Sequence, residues 1–207
     1  MKKMTNLFDK DYYENGVEKG ISGYTNYRWM PTRSIPEAIE IKKRLDFETC
    51  VDIGCAKGFL VHALRILGCA AYGEEISEYA IENCHEKVKP FLSTETDNKY
   101  DLLICKDVLE HVPQQELPAL LKKFLPRAKQ FFFVIPLGDN NLFRIREYEI
   151  DVTHVTKKDE EWWVNLFTSC GFRLREFSYS MGPIKEKWIK EHPHGNGFFI
   201  LERKENK

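Results

Sequence analysis

Four side chains that could bind a metal ion or carry a proton lie in two short stretches of the chain. KDVLEHV contains Asp107, Glu110 and His111, and DVTH contains His154. At helical spacing, the first three would share one face. Two carboxylates and two imidazoles suit a divalent ion such as Mg²⁺ or Mn²⁺, and either imidazole could instead act as a general base. Catalysis is therefore expected to involve Asp107, His111 and His154, with Glu110 as a further metal ligand.

A second group of candidate residues forms a small-residue turn. The stretch TCVDIGCAKGFLVHA begins as a buried strand, turns at Gly54–Gly58 and continues as an apolar helix. Glycine lets the backbone pass close to a ligand, and a helix amino terminus offers unpaired N–H groups. Asp52 could orient those groups or hold an amine of the ligand. The turn predicts a nucleotide-type pocket.

The spacing of the turn separates three ligand classes. A P-loop needs four residues between its glycines and then Lys and Ser or Thr, whereas here three residues separate Gly54 from Gly58, and Phe59 follows. The dinucleotide fingerprint G-x-G-x-x-G is out of register in G-C-A-K-G-F. The P-loop is thereby excluded, and NAD stays open as an alternative.

The elements that must position these groups alternate between strands and helices. Repeated strand–helix units require a parallel sheet with helices on both faces, and the closing helix, strand, loop and strand predict an antiparallel last strand. We expect a Rossmann-like doubly wound α/β sheet in a single domain, 1–207, with an aromatic cap at 1–31 and a core at 32–203. The predicted strands are 49–53, 70–75, 88–92, 100–105, 130–135, 172–179 and 197–202, and the predicted helices are 32–45, 60–67, 77–87, 117–125 and 160–170.

Composition limits the partners and the setting. The 207 residues carry a formal net charge of −1, which disfavours nucleic acid as a partner, although a local basic face would still permit it. The six cysteines contain no C-x-x-C pair and are expected to be reduced core residues. No apolar run is long enough to span a membrane, so we expect a soluble, cytoplasmic protein without a membrane partner. The sequence leaves the oligomeric state open.

The ends of two further strands complete the predicted ligand site. Glu75 ends the second strand, where a carboxylate can accept both hydroxyls of a ribose, and Ile76 beside it can pack on adenine. That arrangement serves NAD as well as other adenosine cofactors. After the fourth strand, Lys106 opens a polar loop at the carboxyl end of that strand, where open α/β sheets bind their ligands.

The turn and the fourth strand together resemble the class I S-adenosylmethionine-dependent methyltransferases. Val51, Asp52, Gly54, Ala56 and Gly58 match hydrophobic-D-x-G-x-G-x-G, with Ala56 in place of the middle glycine, which is tolerable only if its φ stays negative. YDLLICKDVLEHV resembles the family's fourth-strand motif, and the likeness covers roughly residues 45–203. The resemblance implies that S-adenosylmethionine is the cofactor and that the following residues bind it: Asp52, Gly54, Cys55, Ala56, Gly58, Phe59, Glu75, Ile76 and Lys106.

A narrower resemblance concerns the acid and histidine residues. Asp107, Glu110, His111 and His154 resemble E-x-x-E-H with a later His, found in metal-dependent O-methyltransferases of the small-RNA 3′-end and ubiquinone-pathway groups. Asp107 is one methylene shorter than the Glu of that pattern. The alternative is a methyltransferase without a metal, in which an E-H pair after the fourth strand only shapes the pocket.

The amino-terminal stretch bears on the methyl acceptor. Its DYY-x-x-G and Y-x-x-Y patterns resemble those of small methyltransferases that act on sugars, and its aromatic rings could close over the cofactor and stack on a sugar. We therefore expect O-methylation of a sugar hydroxyl in a glycan or nucleotide sugar. The alternatives are 2′-O-methylation of RNA ribose, a NAD-dependent oxidoreductase, and a module that binds the cofactor without turnover.

Overall fold

The computed structural model describes residues 7–204. The first six and the last three residues of the predicted single domain, including the start of the predicted cap, lie outside the described part. The chain divides into two compact units. One runs to Thr96 and includes Ile150–Thr153, and the other comprises Asp97–Glu149 and the chain from His154 onward. The single domain stays a prediction.

The first unit contains five helices and three strands among its described residues. The helices are α1 (Lys10–Glu14), α2 (Gly16–Lys19), α3 (Pro31–Arg44), α4 (Phe59–Ile66) and α5 (Glu78–Glu82), and the strands are β1 (Thr49–Ile53), β2 (Ala70–Glu74) and β3 (Leu92–Ser93). β1 pairs in parallel with β2, and β2 with β3. β1 is almost fully buried, and α4 buries six consecutive residues from Phe59 to Leu64, as an internal strand and helix require.

The second unit contributes six strands and three helices to the described part of the chain. The strands are β4 (Tyr100–Lys106), β5 (Ala128–Pro136), β6 (Gly138–Asp139), β7 (Leu142–Phe143), β8 (Phe172–Ser178) and β9 (Asn196–Arg203), and the helices are α6 (Leu117–Phe124), α7 (Glu160–Ser169) and α8 (Glu186–Glu191). β4 pairs in parallel with β5, whereas β9 runs antiparallel to both β5 and β8. The core of the second unit is rich in phenylalanine, for example Phe131, Phe132 and Phe133 of β5.

The strand order of the main sheet is β3-β2-β1-β4-β5-β9-β8, and β6 pairs with β7 separately. This mostly parallel, seven-stranded sheet with its antiparallel β9 confirms the predicted Rossmann-like fold. Of the helices among residues 7–204, none is long and apolar enough to cross a membrane.

One predicted strand is wrong. The segment expected as a strand at 88–92 is a turn of 3₁₀ helix at Lys89–Phe91, and β3 follows at Leu92–Ser93. Pro90 explains the difference, because proline has no N–H to give to a strand ladder and fits the first turn of a helix. The helix expected at 77–87 is also shorter and ends at Glu82. Ser77 caps its start, and the Ser77 hydroxyl accepts a hydrogen bond from the N–H of Ala80 at 3.0 Å.

The cap, here residues 7–30, is packed rather than loose. Tyr12 and Tyr13 are buried in one cluster with Phe8 and with Ala80 of α5. The Tyr12 hydroxyl donates to Asp151 Oδ2 at 2.7 Å, which ties Ile150–Thr153 to the cap. The aromatic residues of this stretch therefore build a core of the first unit.

Candidate functional site

The glycine turn, Gly54–Gly58, is fixed against the end of β2. The N–H groups of Gly54 and Cys55 both donate to the carbonyl of Glu74, at 2.7 and 3.1 Å. Gly54 has a φ of +68° and Gly58 a φ of +71°, in the left-handed region that glycine enters freely. Gly58 caps α4 without a side chain, which leaves the first N–H groups of α4 without a side-chain cap. The turn thus has the geometry that its glycines predicted.

Ala56 contradicts one expectation about this turn. We expected a negative φ there because of the side-chain methyl group, and the structure has a φ of +50°. That conformation costs a non-glycine residue roughly 1–2 kcal/mol. Glu75 offsets part of the cost, since its Oε2 accepts a hydrogen bond from the Ala56 N–H at 2.7 Å.

Glu75 is positioned by the backbone on both of its oxygens. While Oε2 accepts from Ala56, Oε1 accepts from the N–H of Ser77 at 2.8 Å. Burial raises the pKa of Glu75, although these backbone hydrogen bonds act to lower it. The backbone N–H groups of Ala56, Ser77 and Ile76 use up to three of the roughly four acceptor positions of this carboxylate, so at least one stays available to a hydroxyl donor. Ile76 beside it is 39% exposed, an open apolar surface of the kind that adenine packing needs.

The remaining predicted cofactor residues of the first unit are buried. Asp52 is 5% exposed at the end of β1. Cys55 packs inward, because a Cβ on Gly73 would lie 2.5 Å from its sulfur, and burial raises the pKa of its thiol. Phe59 opens α4 and contacts the ring of Tyr27, with centroids 5.0 Å apart. Cys55 can therefore offer a ligand only its backbone.

Lys57 is a turn residue that the sequence did not single out. It is only 7% exposed. Its Nζ donates to the Glu14 carboxylate and to the carbonyl of Tyr27, the latter at 3.0 Å, so the glycine turn is tied to the cap. The glycine motif does not predict these contacts of Lys57, because Glu14 and Tyr27 are distant from it in the sequence.

In the second unit, Glu110, His111 and His154 come together. One ligand atom from each can be chosen such that the three lie within 4.8 Å of one another. Glu110 and His111 belong to a 3₁₀ turn, Leu109–His111, and the Glu110 carbonyl accepts from the N–H groups of Val155 and Thr156, each at 2.9 Å. These backbone bonds hold the chain around His154 next to that turn. The structure thus brings three of the four predicted residues into one group.

The hydrogen bonding of His154 fixes its tautomer. Nδ1 lies 2.8 Å from the carbonyl oxygen of Tyr148, which can only accept, so Nδ1 carries the proton. In the neutral ring, Nε2 then presents its lone pair, 4.0 Å from Glu110 Oε1. A histidine held in this way is suited to bind a metal through Nε2 or to take a proton there.

Asp107 is outside this group, and the helical-face argument for it was wrong. Its φ is +59°, and the 3₁₀ turn begins only at Leu109. Its carboxylate pairs with Lys185 through Oδ1 and with Lys106 through Oδ2, the latter at 3.2 Å. Burial alone would raise the pKa of Asp107, but the two lysines hold it well below its usual range. Its roles as a metal ligand and in catalysis stay predictions.

Lys185 is a second buried cation that the sequence did not single out. Besides Asp107, its Nζ donates to Asn196 Oδ1 at 2.8 Å and to the Tyr148 hydroxyl at 3.0 Å. Burial acts to lower the pKa of Lys185, but the charge of Asp107 raises it. Lys106, predicted to face the cofactor, lies at the end of β4 beside this network.

Comparison with known proteins identifies the class of protein to which this chain belongs. The sequence matches the methyltransferase domain family over residues 27–176, more than half of the chain. The chain belongs to this family.

Three individual proteins illustrate the likeness. The magnesium-protoporphyrin O-methyltransferase of Synechocystis is 32% identical over an alignment of 82 residues, and the match covers 34% of this chain and 36% of the relative. A second protein is a Synechocystis magnesium protoporphyrin IX methyltransferase, solved with bound SAH (S-adenosylhomocysteine). Its structure has a TM-score of 0.61 and 16% identity, and the match covers 98% of this chain and 93% of that one. An Archaeoglobus fulgidus SAM-dependent methyltransferase has a TM-score of 0.61 and 15% identity, covering 81% and 93%. The aligned part of the first relative is about a third of its length.

These comparisons confirm three of the predictions: the methyltransferase family, the fold, and S-adenosylmethionine as the cofactor. They name no sugar substrate. The roles of the individual site residues stay predictions.

Proposed function

We propose that this chain transfers the methyl group of S-adenosylmethionine to an oxygen atom, with a sugar hydroxyl of a glycan or nucleotide sugar as the acceptor. Family membership supports methyl transfer, and the name of the Synechocystis O-methyltransferase supports an oxygen acceptor. The sugar rests on the aromatic cap, whose half-buried Tyr27 and Trp29 rings have the character of sugar-stacking surfaces.

The first unit would hold the cofactor. Glu75 is proposed to accept a ribose hydroxyl through the acceptor position that its backbone hydrogen bonds leave available. Ile76 would pack on adenine. The backbone of the glycine turn would pass along the ligand, and Asp52 would orient it from the end of β1.

The second unit would act on the acceptor. Transfer from a sulfonium is a direct displacement, so the acceptor oxygen must be held in line and must lose its proton. A sugar hydroxyl has a pKa far above neutrality, and a positioned base contributes roughly 10²–10⁴-fold. His154 is our first choice for that base, with His111 beside it at a ring-centroid distance of 4.6 Å.

A single observation carries this assignment of the base. The Tyr148 carbonyl accepts a hydrogen bond from Nδ1–H of His154 at 2.8 Å, and Nε2 of the same ring lies 4.0 Å from Glu110 Oε1, in the group that also contains His111. The same atoms, Nε2 of His154, a nitrogen of His111 and an oxygen of Glu110, would suit Mg²⁺ or Mn²⁺. When bound, such an ion would lower the pKa of a coordinated hydroxyl.

The decisive experiment measures binding and transfer separately. Calorimetric titration with S-adenosylmethionine and with NAD should show binding of the first alone, and the reverse result would contradict the proposal. Radiolabelled methyl transfer should then be screened on nucleotide sugars, glycans, RNA and magnesium protoporphyrin. Alkali-stable label on a sugar is expected. Label on RNA or the porphyrin would replace the sugar acceptor, and binding without transfer to any of them would favour a module without turnover.

A further inference from the structure

We infer that Lys57 is a positioning residue for the cofactor. Its ammonium group joins the glycine turn to the cap, so that the packing of the cap sets the affinity for the cofactor. This inference rests on the proposed function, because it concerns the same cofactor site.

The contacts of the Lys57 ammonium carry the first step. Lys57 is buried, and its Nζ is paired with the carboxylate of Glu14 and hydrogen-bonded to the Tyr27 carbonyl. Glu14 also accepts from the Tyr79 hydroxyl at 3.0 Å. Burial alone would raise the pKa of Glu14, but the hydrogen bonds from Lys57 and Tyr79 lower it. The Lys57 side chain is 9% exposed and the Glu14 side chain 21% exposed, so removing one member of this partly buried pair would leave the other charge without its partner.

The conformation of the turn explains why it needs this link. Lys57 lies between Ala56 and Gly58, whose φ angles are +50° and +71°. Gly58 adopts its left-handed φ freely, but the left-handed φ of Ala56 is not maintained by local preference alone. Glu75 restrains the turn at Ala56, and the cap restrains it at Lys57. Loss of either restraint should loosen the backbone that the cofactor must follow.

The cap acts on Lys57 as one hydrogen-bonded piece. The N–H of Tyr27 donates to the Tyr13 carbonyl at 3.1 Å, and the N–H of Asn26 donates to the Glu14 carbonyl at 3.0 Å. Both partners of Lys57 therefore belong to the same folded segment. By thermodynamic linkage, a cap that strengthens cofactor binding must itself be stabilised by the cofactor to the same degree.

The first test measures the affinity for SAH, S-adenosylhomocysteine, by calorimetry. Lys57→Met should weaken binding on the order of 10-fold, within the roughly 5- to 150-fold range of coupling between sites. Lys57→Arg should recover most of the affinity, and Glu14→Gln should weaken it in the same direction. Lys19→Met is the matched control, since it removes an ion pair of the cap whose side chains are 49% and 38% exposed. That variant should bind like the unmodified chain.

The second test measures the reciprocal effect. SAH should protect the cap tyrosines of the unmodified chain from chymotrypsin, and this protection should be much smaller in Lys57→Met at the same site occupancy. Equal SAH affinity and equal protection in Lys57→Met would overturn the inference and leave the proposed function intact. Failure of the unmodified chain to bind SAH would instead overturn the proposed function. If Lys57→Met does not fold, the SAH affinity of Glu14→Gln becomes the test. An unchanged SAH affinity in Glu14→Gln would refute the proposed coupling between the cap and the cofactor site.

Discussion

The Glu75 carboxylate accepts a hydrogen bond of 2.7 Å from the backbone N–H of Ala56, a residue whose φ is +50°. The Glu75 side chain thus restrains the least favourable backbone position in the glycine turn while retaining an acceptor position for a ligand. The cofactor-binding role proposed for Glu75 and the stability of the turn are therefore expected to depend on the same side chain.

Ala56→Gly should stabilise the chain. Glycine removes the left-handed penalty of roughly 1–2 kcal/mol but adds unfolded-state entropy worth about 0.4–1 kcal/mol, so a net gain of about 0.5–1 kcal/mol is expected. Urea unfolding at neutral pH measures it. Ala38→Gly, in the interior of α3, is the control and should destabilise. A loss of stability in Ala56→Gly would mean that the strain at this position is negligible.

Glu75→Gln should weaken S-adenosylmethionine binding more than it weakens the fold. The amide keeps one acceptor oxygen but places an NH₂ group against either Ala56 or Ser77, and it removes the charge that ribose hydroxyls would meet. Losing a charge-assisted hydrogen bond costs about 1.5–3 kcal/mol, which is roughly 10- to 150-fold in affinity. Calorimetry measures the loss, with the exposed Glu78→Gln as the control. Unchanged affinity would refute the ribose assignment.

Much of the fold and of the candidate cofactor site can be predicted from the sequence, because both depend on local patterns of residues. The centre of β4, residues 102–105, is a continuous apolar run that predicts a buried strand, and Glu75 is found because it follows the predicted second strand. Asp107 is different: its left-handed φ and its pairing with Lys185 depend on a partner far along the chain. No pattern in the sequence near Asp107 predicts that it pairs with Lys185. Lys57 was missed for the same reason, since its partners belong to the cap.

Removing divalent metal distinguishes the two proposed roles of the acid and histidine group. If a metal is used, EDTA should abolish methyl transfer, Mn²⁺ should restore it, and Glu110→Gln should lose Mn²⁺ binding measured by electron paramagnetic resonance. If His154 is a plain base, full activity should persist in EDTA, while His154→Gln should lose roughly 10²–10⁴-fold in kcat. His192→Gln, in the loop after α8, is the control for nonspecific effects of losing an imidazole.

The stability of the first unit should fall in mild acid because of His62. The His62 ring is buried on α4, stacked on His85 at a centroid distance of 4.0 Å, with Trp29 at 4.7 Å. Burial lowers the pKa of His62 from its usual 6.5, and the charges of His85 and Lys87 lower it further. The folded state therefore favours the neutral ring, so its contribution is complete above pH 6.5 and is lost as the pH falls towards the lower folded-state pKa.

Thermal unfolding from pH 8 to pH 5 tests this dependence. The unmodified chain should lose more in Tm over that range than His62→Phe, which keeps an aromatic ring against Trp29 and His85 but cannot take up a proton. His192→Phe should retain the full dependence, because it leaves the buried stack intact. Identical pH profiles for the unmodified chain and His62→Phe would show that acid sensitivity arises elsewhere. A steeper profile in His62→Phe would reverse the sign of the proposed effect.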